Sequence, residues 1–190
     1  MPPFQIPYKT FELMKNFAKP WYIAGGWAID LFIGQQTRDH KDIEIAIYRQ
    51  DQLALQRYLS DWELVKIAAG QKLAWPPGEH LELPIHELHA RSSSSEKLEI
   101  LLNEHKNQKW QFRRHLSITR PLGQIGMKTN SGIPFLSPEI VLLYKSKNPR
   151  AEDEHDFENT ALLLPDERRA WLKRSIEQYL PGHEWVTFLS

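Results

Sequence analysis

Apolar positions along this chain change spacing several times, and each change marks an element. Across residues 9–17, Phe11, Leu13, Met14 and Phe17 recur at helical intervals, with Thr10 placed to cap and Pro20 placed to stop the helix. Residues 21–24 are short, aromatic and apolar, as a buried strand is. Gly25-Gly26 breaks that run. Trp27, Ala28, Ile29, Leu31, Phe32 and Ile33 then make the next segment apolar nearly all round, which predicts a deeply packed helix that ends at Gly34. Asp30 is the exception inside it, and a structural hydrogen bond is its expected use. Over residues 42–47 the period becomes two: Ile43, Ile45 and Ile47 share one face, Asp42 and Glu44 the other.

The remaining pattern reads in the same way. Residues 51–59 predict a helix, and residues 62–68 and 72–75 a hairpin across Ala69-Gly70-Gln71. Residues 85–90 form a further strand, and residues 97–104 another, with Leu98, Ile100 and Leu102 on one face and Glu99 on the other. A last hairpin joins residues 124–128 and 133–136 around Asn130-Ser131-Gly132. Ser137 and Pro138 start a helix packed by Ile140 through Tyr144, and residues 166–179 make a final long helix before Pro181-Gly182. The expected architecture is α/β (α+β): a small mixed sheet flanked by helices over residues 1–120, and a mainly helical region, residues 121–190, that completes a cleft.

Composition narrows the classes. Lys+Arg and Asp+Glu both number 24, which argues against a general nucleic-acid binder. There is no cysteine, so no disulfide framework, thiolate metal site or cysteine nucleophile exists. The first residues lack the basic-then-apolar plan of a signal peptide, and no run approaches the ~18 apolar residues of a membrane span. A soluble, cytoplasmic protein is the expectation; the oligomeric state is not legible. His80, His86 and His89 do not make a zinc pattern, since His86 and His89 fall on opposite faces of a strand.

The chemistry concentrates at residues 25–44. Asp42 and Glu44 are adjacent carboxylates on one strand face, and burying them unpaired is costly. A hard cation between them removes the penalty, and Mg²⁺, which also binds substrate phosphates, suits such oxygens. Upstream, Gly25 and Gly26 let backbone approach a ligand, and helix-start amides receive anions. A phosphate seat and Mg²⁺ carboxylates joined by one helix describe phosphoryl-group chemistry on a nucleotide. The competing reading is two solvated acids on a surface strand. Arg38 and Lys41 lie where they could meet phosphate oxygens, or Arg38 could pair with Asp39 or another acid.

Gly25-Gly26, a helix and Asp42-Ile43-Glu44 together resemble the signature of the polymerase-beta-like nucleotidyltransferase superfamily. The fuller string GGWAIDLFIGQQTRDHKDIEIAI is more similar still to the aminoglycoside 2''-adenylyltransferase-like family. That resemblance implies an enzyme that moves a nucleoside monophosphate, AMP from ATP or its equivalent from another NTP, to a hydroxyl of a small molecule such as an aminoglycoside-like antibiotic. It implies two Mg²⁺ ions held by Asp42, Glu44 and a third carboxylate on a neighbouring strand. Glu99 matches that third position, as metal ligand or general base, with Glu104 as runner-up. Gly25, Gly26 and Arg38 would bind the nucleotide, and so would Lys145, in SPEIVLLYKSK, by the same resemblance. WxFRR at residues 110–114 is typical of the family, without an assigned role. In the segment from Arg150 to Phe157, Asp153, Asp156 and Phe157 match, whereas Glu152 stands where a lysine is usual. A polycationic acceptor would want an acidic pocket, which Asp153, Glu154 and Asp156 could supply. Two alternatives stay open: a protein- or RNA-modifying nucleotidyltransferase of the toxin–antitoxin type, which a partner protein would reveal, and a non-catalytic nucleotide-binding relative.

Overall fold

The computed structural model describes residues 4–189. Ten strands among them form one mixed sheet. In chain order they are β1 (Trp21–Ile23), β2 (Glu44–Tyr48), β3 (Glu63–Ala68), β4 (Gln71–Ala74), β5 (Glu87–Arg91), β6 (Lys97–Lys106), β7 (Lys109–Gln111), β8 (Thr119–Pro121), β9 (Gly126–Lys128) and β10 (Pro134–Leu136). In space the order is β4-β3-β5-β6-β2-β1-β10-β9, with β7 paired to the far end of β6 and to β8. The helices are α1 (Gln5–Met14), α2 (Gly25–Ile33), α3 (Gln52–Tyr58), α4 (Pro138–Lys145), α5 (Ala151–Thr160), α6 (Asp166–Tyr179) and α7 (Trp185–Phe188).

β2 lies at the centre, antiparallel to β1 and parallel to β6. A parallel neighbour requires a long crossover. Here the crossover contains α3 and the strands β3 to β5, which then extend the sheet on the far side of β6. The isoleucines expected inside are inside: Ile45 and Ile47 are buried with Ile23, Leu88, Ile100 and Leu102, and Leu55 and Leu59 of the α3 region join the same core. Each such side chain contributes about 1.5–3 kcal/mol through apolar burial. Glu139, at the start of α4, is buried and held by Arg120 at 3.1 Å and Arg168 at 3.0 Å, which ties β8, α4 and α6 together.

Several expected limits move. The first helix starts at Gln5, not residue 9, and Thr10 lies inside it, its hydroxyl donating to the Ile6 carbonyl at 3.1 Å instead of capping. Pro7 is tolerated because it falls in the first turn, where its missing N–H has no partner to lose. β2 begins at Glu44, two residues later than expected, although the Glu99 N–H still bonds the Ile43 carbonyl at 3.0 Å. β8 has no counterpart in the sequence reading: three residues ending in proline show no periodicity. The sheet also continues past residue 120 through β9 and β10, and β10 pairs directly with β1. No helix of the described residues is long and apolar enough to cross a membrane.

Candidate active site

The site begins where β1 turns into α2. Ala24 is extended and its N–H bonds the Glu44 carbonyl at 2.8 Å. Gly25 then takes φ +59°, a left-handed conformation that a side chain disfavours. A Cβ on Gly25 would overlap the Glu44 carboxylate, and a Cβ on Gly26 would strike the side chains of Arg38 and His40. Both glycines are therefore required by close approach. The N-cap residue, Ala24, has no side chain to accept from the first amides of α2.

Next to this turn the sheet assembles its acids. In the register of β2 and β6, Glu44 is paired with Glu99; in that of β5 and β6, Glu99 is paired with His89. Glu44, Glu99 and His89 thus form one row across three strands on one sheet face. Glu87, two residues before His89, shares that face. His89 Nε2 lies 2.7 Å from Glu87 Oε1 and 3.7 Å from Glu99 Oε1. Asp42, exposed, precedes the strand and lines the same groove as Glu44 and Glu99. The donor atoms that converge to within 4.8 Å among the described residues are those of Glu87, His89 and Glu99.

This crowding shows in the acidities. Burial, followed by the charge of Glu99, pushes the Glu44 carboxyl up to about 7, while Lys145 opposes the shift. Glu99 is also raised, by burial first and by Asp42 and Glu87, against the pull of His89. A site in which burial and neighbouring carboxylates raise the acids is short of positive charge, and its hard oxygens suit a divalent cation.

The sequence alone places neither Glu87 nor His89 in the site. Their alternation with buried Leu88 and Ala90 is visible in the sequence, but the pairing of β5 with β6 that brings them to Glu99 is not local. Glu104 is excluded as the third carboxylate. It lies five residues from Glu99, on the opposite face of the strand, and accepts from Arg49 Nε at 2.6 Å.

The loop before β2 is fastened from within. Asp30, fully buried in α2, accepts from the Thr37 N–H at 3.1 Å and hydroxyl at 2.6 Å, and meets His40 Nε2 at 2.5 Å. Of its two expected uses, phosphate contact or an ion pair, Arg38 shows the ion pair: it donates Nε and Nη2 to Asp156 on α5, each at 2.8 Å. Lys145 bridges Asp153 at 2.5 Å and Asp156 at 3.0 Å while lining the cleft beside Glu44. Burial works to raise Asp153 and Asp156, but these cations and Arg150 outweigh it and hold both carboxyls below their usual range. Glu154 accepts from the Trp185 indole at 2.7 Å. The acidic pocket expected from Asp153, Glu154 and Asp156 therefore does not exist: all three are spent on internal partners. Glu152 faces the Arg150 guanidinium at 3.4 Å and borders the groove beside Gly26.

Two cavities meet at Glu44. One, of about 320 Å³, lies between the sheet and α4 and is bordered by Gly25, Glu87, Arg113, Tyr144 and Lys145. The other runs past Gly26, Arg38, Asp42, Glu99 and Lys145. Beyond Glu99 a third groove passes His89, Lys72 and Val65.

A family model described as aminoglycoside-2''-adenylyltransferase matches residues 8–160. No curated protein matches the sequence. Among solved structures, the lincosamide antibiotic adenylyltransferase LnuA with lincomycin bound is 18% identical, with a TM-score of 0.58 over 82% of this chain and 94% of that one. The solution structure of the antibiotic-resistance factor ANT(2'')-Ia is 14% identical, with a TM-score of 0.60 over 96% and 95%. An antigenic nucleotidyltransferase-like protein from Paracoccidioides brasiliensis is 15% identical, with a TM-score of 0.50 over 97% and 89%. At these identities the likeness establishes a shared nucleotidyltransferase fold.

Proposed function

This chain belongs to the aminoglycoside-2''-adenylyltransferase family of nucleotidyltransferase enzymes, and from that we propose that it moves AMP from ATP to a hydroxyl of a small molecule. The observation that carries the reading is the register of β2 with β6. It sets Glu44 beside Glu99, with the Gly25 backbone packed on the Glu44 carboxylate and Asp42 at the mouth.

The donor set fits a divalent metal: hard carboxylates, with Glu44 and Glu99 raised by burial and by one another's neighbours, in a groove that Lys41 and Lys145 also line. Asp42, Glu44 and Glu99 would hold Mg²⁺, two ions in a full site. Bound there, the metal supplies charge neutralisation for the attacking and leaving oxygens. The rest falls to the chain. Gly25 and Gly26 let Glu44, Arg38 and His40 close on the start of α2, whose first amides would receive the triphosphate. Lys145 adds a fixed cation. Arg38 supports this arrangement from behind by holding Asp156, which in turn positions Lys145. The acceptor hydroxyl oxygen forms a bond to the α-phosphorus, the bond from that phosphorus to the bridging oxygen breaks, and pyrophosphate leaves. Where Glu99 is not spent on the metal, its carboxylate takes the hydroxyl proton. Positioning and charge neutralisation dominate such transfers.

An aminoglycoside-like acceptor is polycationic. In place of the α5 acids, those that line the groove past His89 are Asp42, Glu63 and Glu99, and Glu63 is the one not assigned to the metal. Calorimetric titration of each NTP with Mg²⁺ into the protein and into Asp42→Asn tests the reading. Magnesium-dependent binding of ATP that the substitution removes is expected. Absence of magnesium-dependent binding for every NTP would overturn it.

A further inference from the structure

The cleft between the sheet and α4 has a carboxylate floor, Glu44 and Glu87, and a cationic wall opposite. Most cations of that wall are already engaged. Lys145 is bound to Asp153 and Asp156, Arg150 to Asp153 and Glu152, and Arg114 donates Nη1 to the Tyr144 carbonyl at 2.7 Å. Arg113 differs. Its guanidinium has neither a carboxylate within ion-pair distance nor a hydrogen-bond acceptor among the described residues. It is half-buried, and burial lowers its pKa against the weaker pull of Glu87, a charge partly removed from water without a direct ion pair.

Nor is Arg113 a loose surface side chain. It follows Trp110 and Phe112, both buried, in a turn closed by the Phe112 N–H to the Ile118 carbonyl and by the His115 N–H to the Phe112 carbonyl, each at 2.9 Å. Its guanidinium lies over the Tyr144 ring, 5.5 Å from the centroid, and that ring packs edge-on against Phe112. A guanidinium held over an aromatic ring does not spend its N–H donors on that contact. The WxFRR segment thus places a guanidinium with unspent N–H donors on the wall of the cleft that also holds Gly25 and Glu44.

We propose that Arg113 is an anion anchor that grips the nucleotide's polyphosphate; this rests on the nucleotidyltransferase reading above. The ligand must satisfy a guanidinium on one wall, a helix start on another and a carboxylate floor that accepts an anion only through a cation. A metal-bound polyphosphate meets all three conditions, whereas a simple carboxylate meets only the first two.

The test is calorimetric titration of inorganic tripolyphosphate with Mg²⁺ into the wild-type protein, R113M and R113K, beside titration of Mg²⁺ alone. R113M keeps the length and packing of the stem and removes the donors; R113K keeps the charge and loses the two-point grip. R113M is expected to lose affinity for magnesium tripolyphosphate by about 10–100-fold, as for one charged hydrogen-bonding partner, with R113K in between and Mg²⁺ binding unchanged in both. Should R113M not fold, R113K alone decides, by weaker tripolyphosphate binding at unchanged Mg²⁺ binding. Wild-type affinity for tripolyphosphate in the folded variants would overturn the assignment and leave the nucleotidyltransferase reading standing. Failure of that reading shows separately, as wild-type protein that binds no NTP with Mg²⁺, and the assignment falls with it.

Discussion

Arg38 donates two hydrogen bonds of 2.8 Å to Asp156, a residue 118 positions further along the chain. The pair joins the loop before β2 to α5, and Lys145 completes it from α4 at 3.0 Å. Asp156 has no exposed side-chain surface, so the charges balance only as a set. Removing one member of a buried set costs about 3–5 kcal/mol, because the others are left uncompensated. Asp156→Asn is expected to lower stability by about 3 kcal/mol in urea unfolding and to weaken NTP binding through a displaced Lys145. Asp156 titrates below its ordinary range when folded, so this stabilisation is present above about pH 4 and is lost as pH falls further.

Glu44 works in the opposite direction. Its carboxyl stands at about 7 in the folded protein against an ordinary 4.5. Between those values the folded chain holds a proton that the unfolded chain has released. Stability of the metal-free protein should therefore fall as pH rises from 4.5 through 7. Thermal melts in EDTA at pH 5 and pH 7.5 are expected to show the lower midpoint at pH 7.5, with the difference reduced in Glu44→Gln.

Metal addition should reverse that loss. A ligand that binds only the folded state at a hundred times its Kd stabilises by about 2.7 kcal/mol. Melting midpoints at pH 7.5 should rise with Mg²⁺ concentration in the wild-type protein and stay flat in Asp42→Asn. Asp42 is exposed, so its substitution should leave the metal-free midpoint equal or higher.

Gly25→Ala is the sharpest steric test. The added Cβ meets the Glu44 carboxylate, and φ +59° costs a side chain about 1–2 kcal/mol. A destabilised protein with no magnesium-dependent NTP binding is expected. Gly34→Ala, which also has positive φ but open space around its Cβ, should lose stability alone.

Much of this site is written locally. The Gly25-Gly26 break, the apolar run of α2 and the alternation around Glu44 and Glu99 are periodic signals, and each survives in the structure. What was hidden depends on contacts between distant segments. Nothing near Arg38 in sequence shows Asp156, and nothing near Asp153 shows that Lys145 neutralises it. Glu87 and His89 carry the right alternation, but their importance appears only when β5 pairs with β6. Thr10 looks like a cap because Ser and Thr are favoured there, while the packing of α1 lets the helix run past it.

Because β6 pairs with β2 directly, the chain between them must leave the centre and return. It does so through β3 and β4, a hairpin on the outer rim whose last strand is exposed throughout. Lys72 and Val65 of that hairpin form the bank of the groove opposite Glu99. The rim can lengthen, shorten or change its side chains without shifting Asp42, Glu44 or Glu99. On the proposed function, substrate range is thereby separated from chemistry: the same carboxylate floor would be offered to a new acceptor by editing a piece of chain that the floor does not need.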